Sequence, residues 1–104
     1  MAFSDLAQLI KDNGNGVRAF EKAAEEAFSA AAKHPDLAVQ YFVLASEAAE
    51  FSDLYDRMPV TKSISDTAQE RFADHAKKLD AATEDHAQMI SALNEIVLEM
   101  LAER

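Results

Sequence analysis

From about Ser65 to Ala102 the chain carries neither glycine nor proline. A stretch without either residue favours one unbroken element. One register through it is Phe72, Leu79, His86, Leu93 and Met100, spaced by seven. His75, Ala82, Met89 and Ile96 follow three residues behind, and Ala76, Thr83, Ile90 and Val97 flank them. Apolar recurrence at three, four and seven marks a helix with one face turned to a core. Read as a single helix over 65–102, the stretch spans about 57 Å at 1.5 Å per residue. Its middle, "DAATEDH", is weakly apolar and is the expected place for a kink.

The remainder of the chain also reads as helix. Residues 1–12 form a short N-terminal arm, with Ser4 as a candidate cap and Leu6, Leu9 and Ile10 as its apolar side. "DNGNG" then breaks the chain, because Asn and Gly tolerate positive φ. The arm is therefore expected to be loosely attached. Residues 17–33 follow helical spacing through Val17, Phe20, Ala24, Ala27, Phe28 and Ala31. His34 precedes Pro35 and should lie outside a helix, with Pro35 opening the next one. Over 35–58, Leu37, Tyr41, Leu44, Ala48, Phe51, Tyr55 and Met58 step by four and three in turn, a continuous seam. The last helix should begin near a capping box at Thr67/Glu70 or Ser63/Asp66.

Composition agrees with an all-α chain. The apolar share is 49%, but 21 residues are Ala, the strongest helix former and one that adds little burial. Gly and Pro number two each. The expectation is one domain of 104 residues: an antiparallel bundle of three main helices with a short N-terminal one, the last helix longest. Ten basic against nineteen acidic residues give a formal charge of −9. That balance disfavours a nucleic acid or an anionic membrane surface and suits a basic protein partner. There is no cysteine, which excludes thiol chemistry and thiolate metal sites. No signal peptide or membrane span is read, so the cytoplasm is the expected location.

The expected helix lengths raise a question of cover. The second and third helices would reach about 26 and 35 Å, short of the last one's 57 Å. The uncovered end is apolar: Met89, Ile90, Leu93, Ile96, Val97, Leu98, Met100 and Leu101 crowd into thirteen positions. Leu98 and Leu101 fall off the seam holding Leu93 and Met100, so the helix is apolar on more than one side. A homodimer through the last helices is the expected cover. The alternative is the N-terminal arm folded back across the end.

Candidate chemistry is thin. His86 reads as a polar seam residue that fixes register. The Glu-x-x-His spacing of bundle di-iron sites does not occur, and neither a metal nor any other cofactor is expected. Glu47, Glu50 and Asp53 read as solvated-face residues. "HAKK" places Lys78 three residues after His75. This pair resembles the His-x-x-Lys element of histidine-phosphotransfer domains, helical bundles that pass a phosphoryl group through a solvent-exposed histidine. The resemblance implies His75 as phosphoacceptor and Lys78 as the cation on the phosphoryl oxygens. Leu79 stands where that family usually has Gly, and Asp74 adds a negative charge beside the incoming phosphate.

"HAQMISALN" is similar to a segment of the TraM quorum-sensing antiactivators, small helical dimers that sequester a transcription activator. The likeness spans nine residues and needs one inserted residue, which would turn every later side chain by about 100°. That family is not adopted. The leading expectation is a non-enzymatic interaction or regulatory module. A phosphotransfer module on His75 and a helical cargo chaperone or antiactivator are the alternatives.

Overall fold

The structure, a computed structural model, describes residues 2–103. Among them all regular structure is helical: α1 (Ser4–Asp12), α2 (Val17–Lys33), a 3₁₀ turn (Pro35–Leu37), α3 (Ala38–Leu54), α4 (Lys62–Ala81) and α5 (His86–Ala102).

The expected long helix over 65–102 is two helices. Residues 82–85 break it, within the weakly apolar middle. The break needs no Gly or Pro because polar side chains satisfy the freed backbone. Thr83 Oγ1 donates to the Leu79 carbonyl at 3.0 Å, and the Asp85 carboxylate accepts from the Gln88 N–H at 3.1 Å. Asp85 is extended, at φ −126° and ψ 112°, and caps α5. Consequently α4, at 20 residues, is the longest helix, while α2, α3 and α5 each have 17. The supposed overhang does not exist, and His86 is no seam residue: it is the exposed first residue of α5.

Two further boundaries differ. Helix α4 begins at Lys62, with Thr61 as its cap: Thr61 Oγ1 accepts from the Ile64 N–H at 3.2 Å. Neither expected capping box is used; Asp66 instead pairs with Lys62 and with Asn15. Helix α3 stops at Leu54, short of Met58, and Arg57 takes a left-handed φ of 59° in the connection. At its start the reading holds, with His34 outside any helix and Pro35 opening the 3₁₀ turn.

Helix α1 is part of the core. Phe3, Leu6, Ala7 and Ile10 are buried, and α1 packs on α2 and α4. Its start is capped from a distance: Asp80 on α4 accepts from the N–H groups of Phe3 (2.7 Å) and Ser4 (3.0 Å). Gln69 on α4 donates to the Ala7 carbonyl. The loop after α1 holds Gly14 at φ 88° and Asn15 at φ 61°, the left-handed pair that "DNGNG" implies.

Helices α2 and α3 share the broadest helix contact. Ala19, Ala23, Ala24, Ala27 and Ala30 are buried on α2, and Ala45 and Ala48 on α3. Small side chains let two backbones approach closely, so the alanine content acts through packing as well as propensity. Phe20 on α2 ties the layers together. Its ring centroid lies 4.1 Å from Phe51 on α3 and 6.5 Å, edge-on, from Phe72 on α4.

Candidate functional site

Helices α4 and α5 meet along a charged seam. Arg71, His75 and Lys78 occupy one face of α4 at spacings of four and three. Glu95, Glu99 and Glu103 recur every fourth residue along α5 and just past its end. They pair in opposite order. Arg71 Nη1 lies 2.5 Å from Glu103, His75 Nε2 lies 2.5 Å from Glu99, and Lys78 Nζ lies 3.3 Å from Glu99 and 3.8 Å from Glu95. Early residues of α4 thus meet late residues of α5.

His75 is the buried centre of this seam, at 1% exposure. Its second ring nitrogen, Nδ1, lies 2.7 Å from Glu47 on α3. One imidazole therefore links three helices. A neutral imidazole has a single N–H and can donate to only one of two carboxylates; an imidazolium donates to both. Burial on its own pushes the imidazole pKa down, but the hydrogen bonds and charges of Glu47 and Glu99 outweigh it, and the pKa is raised. Glu99 shifts the other way: the bond from His75 holds its carboxyl below the usual range, with Lys78 adding to the effect.

This geometry bears on the phosphotransfer resemblance. His75 and Lys78 do share a face of α4, but both imidazole nitrogens are engaged and the ring is buried. The family's chemistry needs a solvent-exposed ring nitrogen, and here a phosphodonor would have to break an ion pair to reach one. Nor can the cluster chelate, since Glu47 and Glu99 sit at different nitrogens of one ring. Among the described residues no group of three or more His, Asp or Glu side chains is arranged to hold a metal ion.

Glu47 is the residue that sequence reasoning missed. It was placed on a solvated face, yet its side chain is only 12% exposed. The available signal was its position: three residues after Leu44 and one before Ala48, on the flank of the α3 seam. Its partner could not be read, because His75 reaches it only through the fold.

The apolar residues of the expected interface divide in two. Met89 and Ile96 are buried against the core, with Leu93 and Met100 half-buried beside them. Ile90, Val97, Leu98 and Leu101 point outward and remain 39–66% exposed. At 100° per residue these four fall within an arc of about 100° on α5. Asn94 lies among them and is also exposed. The α5 carboxylates lie outside this arc, turned toward α4. Helix α1 leaves this face open, as its contacts go to α2 and α4.

A second surface is concave. The end of α3, the start of α4 and the end of α5 enclose an open groove of about 870 Å³. Phe51, Leu54, Tyr55, Ile64 and Met100 line it, with Glu47, Glu50, Asp53, Arg71 and Glu103 among its polar residues. Leu54 and Ile64 are exposed within it. Among the described residues no helix is long and apolar enough to cross a membrane. No family model matches the chain, and no characterised protein or solved structure shows significant similarity to it, so neither resemblance gains a relative.

Proposed function

We propose that this protein performs no chemistry of its own and serves as a small acidic protein–protein interaction or regulatory module of the cytoplasm, working as a homodimer. The observation that carries this reading is the outer face of α5, where Ile90, Val97, Leu98 and Leu101 stay exposed in a single contiguous stripe. Apolar patches of this kind mark sites of association.

Charge supports self-association on this face. Two chains of −9 repel each other, so a shared interface needs a neutral surface. The stripe provides one: Asn94 is its polar member, while Glu95, Glu99 and Glu103 face α4 and pair with Lys78, His75 and Arg71. Two copies of α5 can therefore meet about a two-fold axis with like charges held to the sides. The His75 link gives the stripe a rigid backing, because it ties α5 to both α3 and α4. The acidity left elsewhere steers basic partners.

The absence of cysteine makes a direct test simple. An Asn94→Cys variant is treated with a flexible bis-maleimide at low protein concentration, beside Val39→Cys on the exposed side of α3. Covalent dimer from the α5 variant alone supports the reading. Equal yields from both variants, or dimer from neither, would count against it.

A further inference from the structure

We propose that the groove between the ends of α3, α4 and α5 takes a basic amphipathic helix of a different protein. This inference rests on the interaction-module reading but not on the dimer. The groove's apolar floor is Phe51, Leu54, Ile64 and Met100, contributed by three helices. Leu54 is 65% exposed and Ile64 40%, so both stand ready for an occupant without any rearrangement of the core. A volume of about 870 Å³ is ample for several large apolar side chains and is of the size that ligand sites show. Helix-in-groove recognition fills such a surface with side chains at i, i+3, i+4 and i+7.

Charge selects the occupant. Four carboxylate residues, Glu47, Glu50, Asp53 and Glu103, line the groove beside Arg71, with His75 behind Glu47, which leaves the lining net negative. Glu47 and Glu103 are bonded to His75 and Arg71, and Asp53 stands exposed at the rim. A helix with Lys or Arg flanking its apolar stripe meets this lining favourably, and an acidic helix is repelled. A second copy of this chain is a poor occupant by the same test. Among the described residues none of the five α-helices carries a net positive formal charge; α3 carries three acidic residues and no basic one, and α5 two acidic residues and no basic one. The groove thus favours a foreign, cationic segment, while the neutral α5 stripe favours self-association.

The probe is a labelled synthetic helix of about 18 residues, five turns, with Leu along one face and Lys and Arg elsewhere. A matched peptide carries Glu in place of the cations. Fluorescence anisotropy against the full chain is expected to give saturable binding of the basic peptide only, weakened several-fold by high salt. Leu54→Asn and Ile64→Asn should each weaken it about tenfold or more, as losing one large aliphatic contact does. Asp53→Asn should weaken it less and reduce the salt dependence. Val39→Asn, outside the groove, should leave it unchanged, with circular dichroism verifying the fold of each variant. No binding of the basic peptide overturns the proposal, as does equal binding of both peptides or binding indifferent to Leu54 and Ile64. Because these outcomes are read at one peptide site, failure here is distinct from failure of dimerisation, which the α5 cross-link reads.

Discussion

Replacing Glu47 by Gln keeps the side chain's size and an oxygen able to accept from His75, and removes its charge. The Glu47 side chain is 12% exposed and His75 1%, so solvent screens the pair little. Without the Glu47 charge the buried imidazole holds its proton less firmly, so the bond falls from the net ~1.5–3 kcal/mol of a charged pair toward the ~0.5–1.5 of a neutral one. The loss in Glu47→Gln at about pH 6 is therefore ~1–2 kcal/mol. In a chain of this length that lowers Tm by about 5–10 °C.

The loss depends on pH, with a definite sign. The folded pKa of His75 is raised above its ordinary 6.5, so the pairing stabilises fully below that value and fades as pH climbs through the raised folded one. The carboxyl of Glu99 is lowered from its ordinary 4.5, so its share is present above that value and fades as pH falls. The seam is strongest between these two limits. Thermal denaturation of both proteins by circular dichroism should show the largest Tm gap near pH 6. Once the pH has climbed through the raised folded pKa of His75 and the imidazole has lost its charge, the gap should shrink to less than about half. A gap of equal size at both pH values, or none at either, would refute a charged His75 between two carboxylates.

Other outcomes follow from the same contacts. Asp80→Ala removes the acceptor for the first N–H groups of α1 and should cost about 0.5–2 kcal/mol, with amide hydrogen exchange rising in α1 before α4. Asp85→Ala removes the α5 cap and should cost about 1 kcal/mol in urea unfolding. Ala27→Leu forces a branched side chain into a fully buried position on α2 and should cost about 1–3 kcal/mol by the same measurement.

Much of the fold was legible in local pattern. The α2 periodicity, the α3 seam and the His34–Pro35 boundary follow from spacing and from proline's restriction of its neighbour. The sequence marks 80–86 as the place for a kink but not for a full break, because it offers neither Gly nor Pro there. The Asp85 cap and the Thr83 back-bond supply the same interruption with ordinary residues. Missing the break hid the charged seam. In one continuous helix Glu99 would lie about 36 Å from His75 along the axis. The attachment of α1 was hidden for a related reason: its remote cap, Asp80, lies 76 residues away from Ser4. That Leu98 and Leu101 lie outside the core was legible from their falling off the seam, although the overhanging helix expected with them is absent.

Sedimentation equilibrium over a wide range of protein concentration tests the dimer most directly. For the unaltered chain the account predicts a species of twice the 11.4 kDa chain mass. Leu98→Glu, at a position 66% exposed, should sediment as single chains with its helix signal intact. Single chains at every concentration for the unaltered protein, or a Leu98→Glu variant that still pairs, would contradict it.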